Sequence, residues 1–537
     1  MYFPVLSTRL VLKVKYKADG SFDKYKARLV VRGFLQREGR DFYQTFTPTA
    51  EMSTFRVLAA EAAHHGWRIM HADVKNAFCN ADIDVPGLAI ELPNGITLHD
   101  DDPGPDRTLQ LSKALYGLKQ SPRLWFQDLR KHFLANGLTQ CKRDTTLFKY
   151  KRDGRLTYVL VYVDDIIITG PSEADQDAIR DILTGPDNNK KYTVSQYDPL
   201  NSYLAIAAAQ QPDGTRHLSM GAKIDEIADE LPVAVRPLSP RLCVPRRSSP
   251  NLWEGVSIDS LSTNEAYCLH HYAHLVGAIN YLCTCVRPDI SHAISKLARH
   301  LISPAPSHAK HLNQLIAYLV STRDYGIILG AGRADPTHHV PASGSNLEVF
   351  SDSNFADPDE PDLRATSGTV VLYRGVPIAW KCKRQDGASD STHHAELYAL
   401  HQSAKLAMAF RLLIDELELG SKVPTPIYVD NDAVHFTACS EFISQRSRHI
   451  KTRYFLVQDY VQAKEVTVPW LRGTHNPADL LTKALTHDDH MKHTDLILKG
   501  ISQSTAPKPS GRGGVHGSDN PPGVVSDAPR DPPAVTG

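Results

Sequence analysis

The stretch Thr157-Tyr158-Val159-Leu160-Val161-Tyr162-Val163-Asp164-Asp165-Ile166-Ile167-Ile168-Thr169 governs how the rest of the chain is read. Two adjacent carboxylates sit between two runs of β-branched and aromatic residues. Such runs favour strands, and a tight hairpin between them carries both acids at its tip. Side by side, the two anions raise each other's pKa, and a divalent cation removes that repulsion. Hard oxygen donors favour Mg²⁺. The plain alternative is a solvated Asp-Asp turn. A third acid weighs against it, because His71-Ala72-Asp73-Val74 offers Asp73 at the end of another strand. One carboxylate from a strand and two from a hairpin suit two-metal phosphoryl transfer, in which one ion activates a hydroxyl and the other steadies the leaving oxygen.

Moving outward, Val11 to Tyr16 alternates apolar and basic residues, Ala18-Asp19-Gly20 reads as a turn, and Ala27 to Val31 is apolar again. That pattern predicts a hairpin with one basic face. Residues 53–65 hold no Gly or Pro and follow Thr47-Pro48, which fits a helix. A loop is expected over 93–107, and an amphipathic helix over 121–136, opened by Ser121-Pro122. Residues 210–262 are irregular and mark a weak boundary. Residues 270–320 read as helical with a stop at Arg287-Pro288, and the Gly/Pro/Ala-rich stretch 331–346 as a linker. The final residues, 501–537, contain seven Pro and six Gly and read as a disordered tail.

Composition bounds the answer. The chain has 537 residues, 42% of them hydrophobic and 22% charged, which excludes wholesale disorder and leaves room for about three domains. No apolar run reaches about 18 residues, so no transmembrane helix is expected. Met1-Tyr2-Phe3-Pro4 does not begin a signal peptide, and a cytoplasmic or nuclear location follows as the expectation. Eight cysteines without a C-x-x-C spacing make no disulfide framework and read as small core residues. The histidines between 270 and 311 lack a compact ligand spacing and read as surface residues. Lys and Arg balance Asp and Glu at 60 each, yet residues 1–50 hold ten basic against four acidic residues. That local field attracts phosphates, or is simply a solvated basic face.

Four motifs in order carry a resemblance to a known family. They are Tyr25-Lys26-Ala27-Arg28-Leu29-Val30-Val31-Arg32-Gly33-Phe34, Asp73-Val74-Lys75-Asn76-Ala77-Phe78, Leu111-Ser112-Lys113-Ala114-Leu115-Tyr116-Gly117-Leu118-Lys119-Gln120-Ser121-Pro122-Arg123 and Tyr162-Val163-Asp164-Asp165. Together they resemble the polymerase region of a copia-type retrotransposon polyprotein, a reverse transcriptase followed by ribonuclease H. The resemblance implies an α+β multidomain fold: a right-hand polymerase with fingers and palm over 8–245, a thumb or connection over 246–330, and an α/β ribonuclease H-like domain over 347–485. It implies that Asp73, Asp164 and Asp165 are palm carboxylates holding two Mg²⁺. Phe78 would sit under the sugar and select deoxynucleotides, or else be ordinary core. Lys26 or Arg28 would meet the triphosphate, the register leaving open which. Gln120 would face the incoming nucleotide. The implied partners are an RNA template, a DNA primer, RNA–DNA hybrid and deoxynucleoside triphosphates, with no membrane and with a homodimer left open.

The same resemblance extends to a second set of acids. Val349-Phe350-Ser351-Asp352, Ala395-Glu396-Leu397, Ile427-Tyr428-Val429-Asp430 and Pro477-Ala478-Asp479 follow the order of a ribonuclease H fold: acid, hairpin, acid on a helix, acid at a strand end, acid on a last helix. Asp352, Glu396, Asp430 and Asp479 would hold two further Mg²⁺ and activate water against an RNA phosphodiester. His475, four residues before Asp479, is a candidate proton shuttle. Three departures favour an alternative, a truncated and inactive remnant that at most binds nucleic acid. The family's Tyr-Leu-Gly-Ile turn reads Tyr203-Leu204-Ala205-Ile206, which would strain a turn needing positive φ. Its Glu-Ala-Glu-Tyr reads His394-Ala395-Glu396-Leu397, and its Trp-Val-Phe-Lys entry reads Arg9-Leu10-Val11-Leu12-Lys13.

Overall fold

The computed structural model describes residues 5–16, 22–93, 108–185, 191–235, 256–330, 344–355, 364–440 and 451–498. Nearly all of the expected 93–107 loop, most of the 331–346 linker and the whole 501–537 tail lie outside these residues.

The apolar stretch around Asp164 forms the expected hairpin. Strand Arg155–Tyr162 pairs antiparallel with strand Asp165–Thr169, with Tyr162 opposite Asp165. Val163 and Asp164 are left as a two-residue turn. The hairpin lies in a six-stranded sheet whose order is Val194–Pro199, Ile69–Val74, Asp165–Thr169, Arg155–Tyr162, Leu147–Arg152 and Leu138–Gln140. Both faces of the hairpin are covered, which is why its sequence is apolar without alternation. Val159, Val161, Ile166 and Ile168 share a core with Trp125, Leu129 and Phe133 of helix Ser121–Ala135. Tyr158, Leu160 and Ile167 belong to a second core with Phe55 and Leu58 of helix Met52–His65.

A separate two-stranded ribbon pairs Thr8–Tyr16 with Phe22–Val31. Lys13 lies opposite Lys26 and Val11 opposite Arg28, so Lys13, Lys26 and Arg28 share one face, as the alternation predicts. The ribbon meets the Tyr116-Gly117 segment through backbone: Val31 N–H donates to the Tyr116 carbonyl at 2.8 Å. Gly117 has a φ of 93°, and a Cβ on either Gly33 or Gly117 would overlap main chain of the other segment. Two of the quoted motifs are thereby locked together at a distance only glycine permits.

A four-stranded sheet follows, ordered Ser202–Tyr203, Ile206–Gln210, Arg216–Ser219, Ile327–Leu329. Its last strand returns from beyond the helices Thr263–His270, Tyr272–Cys285, Ser291–Ala298 and Pro306–Ser321, so the expected connection segment shares a sheet with the preceding one. At its first turn Leu204 and Ala205 have φ of 50° and 65°, the left-handed conformation anticipated at Ala205.

The last sheet is ordered Val376–Arg384, Thr366–Tyr373, Leu347–Asn354, Thr425–Tyr428, Val466–Thr467. The first three strands are antiparallel, and the last two join in parallel. The long helix Thr392–Glu416, capped by the Ser391 hydroxyl, covers one face. A right-hand palm followed by an α/β ribonuclease H-like unit is thus the observed α+β architecture.

The two parts are joined by buried polar contacts. Arg56, 3% exposed on helix Met52–His65, donates to the carbonyls of Cys285, Ile378 and Thr284 and lies 4.1 Å from the Trp380 ring centre. One turn on, the buried Glu61 accepts from the Tyr373 hydroxyl at 2.7 Å and from Arg374 at 2.5 Å. From the other side Glu416 accepts the backbone N–H groups of Lys142 and Arg143, at 2.6 and 3.0 Å. Among the described residues, no helix is long and apolar enough to cross a membrane.

Candidate active sites

Strand Ile69–Val74 pairs with strand Asp165–Thr169 so that Asp73 lies directly opposite Asp165. Both carboxylates therefore project from one face of the sheet. Asp165 Oδ1 is bonded to His71 Nε2 at 2.7 Å, and the Ser195 hydroxyl donates to Asp73. Asp164 occupies the turn beside them. Burial pushes its pKa above the usual carboxylate value, and the charges of Asp165 and Asp73 add to this, while Arg28 opposes it. The turn itself is held tightly. Val163 has a φ of 57°, unfavourable for a β-branched residue. Its carbonyl accepts from the Trp125 indole at 2.6 Å, and the Asp164 carbonyl accepts from Val74 N–H at 3.0 Å.

One wall of this site is aromatic and cationic. The Phe78 and Tyr116 rings meet edge to face at 4.9 Å, and the Arg28 guanidinium lies 5.2 Å from the Tyr116 ring centre. Arg28 offsets the charge at the Asp164 turn, and Lys26 lies two residues along the same face of the ribbon. Asn76, at a φ of 52°, makes the turn that brings Phe78 back beside the strand bearing Asp73.

Gln120 corrects the reading made from sequence. It does not face an open pocket. Its side chain is fully buried, donates to the Asp41 carbonyl at 2.9 Å and accepts from Gln36 at 3.0 Å. It ties the segment after Tyr116 to the loop that holds Gln36 and Asp41. Tyr116, His71, Ser195 and Trp125 went unassigned in the sequence. Tyr116 and His71 lay within quoted stretches, whereas Ser195 and Trp125 carried no local signal.

The second set of acids converges from four elements. Asp352 is on the central strand Leu347–Asn354, Glu396 is in the first turns of helix Thr392–Glu416, and Asp430 follows strand Thr425–Tyr428. Asp479 is in the short helix Pro477–Leu481. Carboxylate oxygens of Asp352, Asp430 and Asp479 lie within 4.8 Å of one another. Glu396 accepts the Ser353 backbone N–H at 3.3 Å, and Thr482 donates its hydroxyl to Asp352. Lys483 places its ammonium 3.0 Å from Asp479 and 3.9 Å from Asp352. Burial, with the charge of Asp479, raises Asp352 to about 7, and burial with the charge of Asp352 raises Asp430 to about 6. Glu396 is pushed up for the same two reasons.

Crowded, desolvated carboxylates with hard oxygen donors are what a divalent cation needs, and the residues here fit Mg²⁺. His475 lies just upstream, its Nδ1 3.2 Å from the Thr474 hydroxyl. At the position where the sequence departs from the family, His394 pairs with Asp390 at 2.8 Å.

Residues 4–233 match the family model for reverse transcriptase, the RNA-dependent DNA polymerase. The chain is 31% identical over 486 residues to the retrovirus-related Pol polyprotein from transposon RE1 of Arabidopsis thaliana, covering 90% of this chain and 31% of that one. It is 27% identical over 488 residues to the corresponding polyprotein from transposon TNT 1-94 of Nicotiana tabacum, covering 89% of this chain and 34% of the relative. The chain therefore spans about a third of the length of these relatives. Among solved structures, the foamy viral protease-reverse transcriptase in complex with RNA/DNA hybrid aligns over 87% of this chain and 50% of that chain, at 14% identity and a TM-score of 0.43. The N-terminal RNase H domain of a Mycobacterium tuberculosis protein aligns over 28% of this chain and 97% of its own, at 16% identity and a TM-score of 0.20. With its four motifs and its palm hairpin, the chain carries a reverse transcriptase region over residues 4–233 and is similar along most of its length to retrotransposon Pol polyproteins of the copia type.

Proposed function

We propose that the chain copies RNA into DNA at the Asp73, Asp164 and Asp165 site and cleaves the RNA of the resulting hybrid at the Asp352, Glu396, Asp430 and Asp479 site. The observation that carries this is the pairing of Asp73 with Asp165 beside the Asp164 turn, walled by Arg28, Tyr116 and Phe78. That arrangement supplies oxygen donors on one side and a cation with an aromatic platform on the other, which suits a metal-bound nucleoside triphosphate.

In the first reaction the primer 3′-hydroxyl attacks the α-phosphorus of a deoxynucleoside triphosphate. A new O–P bond forms, the bond to the β-phosphate breaks, and the hydroxyl proton and pyrophosphate leave. Asp73, Asp164 and Asp165 would hold two Mg²⁺. Arg28, with Lys26 further along the ribbon, offsets the charge of the triphosphate. Phe78 closes the space under the sugar against a 2′-hydroxyl. His71 and Ser195 orient Asp165 and Asp73. Gln120 acts at one remove, by fixing the loop next to Tyr116.

In the second reaction water attacks an RNA phosphodiester, and a 3′-hydroxyl end leaves. Asp352, Glu396, Asp430 and Asp479 would hold the two Mg²⁺ there. Held by these carboxylates, Mg²⁺ would supply activation of the attacking oxygen and charge neutralisation at the leaving one. Residues 8–245, 246–330 and 347–485 are the proposed polymerase, connection and nuclease segments, with RNA template, DNA primer and hybrid as partners.

An inactive remnant is the second reading, and the strained Leu204-Ala205 turn is the observation that favours it. Primer extension on an RNA template with Mg²⁺ separates the two. Extension lost in Asp164→Asn supports the polymerase, and no extension by the folded wild type supports the remnant.

A further inference from the structure

Among the described residues, a cation stands beside the acids of the second site. Lys483 follows Asp479 by one helical turn, and its ammonium is 3.0 Å from an Asp479 oxygen. A pair at that spacing on a surface would contribute little. Here the same ammonium also lies 3.9 Å from Asp352, which is 1% exposed and comes from the central strand of the sheet. Two elements distant in sequence are therefore drawn together by one charge. Burial opposes that charge, but the carboxylates of Asp352, Asp479 and Asp430 outweigh it and hold the Lys483 pKa above the usual lysine value. Thr482, the preceding residue, donates to the same Asp352 carboxylate. The Thr482-Lys483 pair thus approaches the oxygens that a divalent cation would take.

We propose that Lys483 is the resident counter-ion of this site: it holds Asp479 and Asp352 together in the metal-free protein and competes with a divalent cation for their oxygens. A divalent cation bound there would displace the ammonium from the carboxylate oxygens. The inference rests on reading Asp352, Asp430 and Asp479 as metal ligands. Lys483 is a positioning residue in this scheme, and its effect is read in metal affinity.

The test uses the full chain carrying Asp73→Asn and Asp164→Asn, so that the polymerase site does not dominate the binding. Mn²⁺ affinity is measured at pH 8 by the electron paramagnetic resonance signal of the free ion, and melting is followed in chelator. Lys483→Met keeps the aliphatic stem and removes the charge. It is expected to bind Mn²⁺ roughly tenfold more tightly and to melt at a lower temperature in chelator, because one charge at this range is worth about a decade in affinity. Lys483→Arg restores both properties toward the parent. Unchanged or weaker Mn²⁺ binding by a folded Lys483→Met overturns the inference, as does an unchanged melting temperature in chelator. If the parent binds no Mn²⁺ that Asp352→Asn abolishes, the reading of the site itself fails, and this inference with it.

Discussion

The indole N–H of Trp125 donates to the carbonyl oxygen of Val163 at 2.6 Å, so a ring 1% exposed in the core anchors the turn that presents Asp164. Val163 is held in a conformation that costs about 1–3 kcal/mol for such a residue and persists only where the surroundings impose it. Trp125→Phe keeps an aromatic ring, though a smaller one, and removes the donor. Primer extension by this variant is expected to fall about tenfold or more, and hybrid cleavage by the same preparation to stay within twofold of wild type, since an unsatisfied buried carbonyl costs about 1–3 kcal/mol. Equal losses in both assays would count against a local role for the turn.

Phe78 packs edge to face against Tyr116, with Arg28 beyond it. Phe78→Ala opens the space below the sugar. The ratio of ribonucleotide to deoxynucleotide incorporation should rise at least about tenfold, consistent with removal of a steric clash worth 1.4 kcal/mol or more. A ratio that did not move would return Phe78 to ordinary packing.

The second site makes stability depend on pH and metal together. Asp352 at about 7 and Asp430 at about 6 stand above their ordinary value of 3.8. The folded state then binds more protons than the unfolded one, so stability is greatest at low pH and is lost as pH rises through 6 and 7. His490 and His493, which burial pushes down to about 4 from 6.5, work in the other direction and lose stability as pH falls below 6.5. Mg²⁺ relieves the carboxylate repulsion but not the histidine burial. Its effect on the melting temperature should therefore be larger at pH 8 than at pH 6, and the difference should shrink in Asp352→Asn. A Mg²⁺ effect independent of pH would remove the crowded-carboxylate account.

Arg374 shields Glu61 in the contact between helix Met52–His65 and the ribonuclease H-like sheet. Glu61 is 1% exposed, so Arg374→Ala leaves a buried charge short of its partner. A loss of about 3–5 kcal/mol is expected by chemical denaturation. The palm-bearing and ribonuclease H-like parts should unfold in one transition in the wild type. Two separate transitions there, or a loss below about 1 kcal/mol in the variant, would mean that the contact does not bind them together.

Ala205 adopts a φ of 65° in a turn whose other central residue, Leu204, is also left-handed. Ala205→Gly should raise stability by up to about 1 kcal/mol, because glycine carries no Cβ penalty there. Unchanged or lower stability would show that the turn tolerates its alanine.

Much of this was legible before any coordinates. Strands buried on both faces leave an uninterrupted apolar run, and that is why Tyr158 to Ile168 betrayed both the hairpin and the acids at its tip. Asp352, Glu396, Asp430 and Asp479 were recognisable as a set only from their order, since a lone acid at a strand end has no signature. Gln120 was misjudged because a polar residue in a motif loop looks exposed, and only tertiary packing reveals that Gln36 and Asp41 take its amide. Lys483 was overlooked because an i,i+4 ion pair is common, and its second contact, to Asp352, spans 131 residues of sequence. The docking of the two parts was hidden for a similar reason. Arg56 and Glu61 interrupt a helix otherwise rich in apolar residues, and their partners Trp380 and Arg374 lie more than 300 residues away.

The central claim is that one chain holds two independent carboxylate sites. The most direct measurement assays primer extension on RNA and cleavage of an RNA–DNA hybrid side by side for wild type, Asp164→Asn and Asp352→Asn. The account predicts that Asp164→Asn loses extension and keeps cleavage, and that Asp352→Asn loses cleavage and keeps extension. Loss of both activities in either folded variant would contradict it.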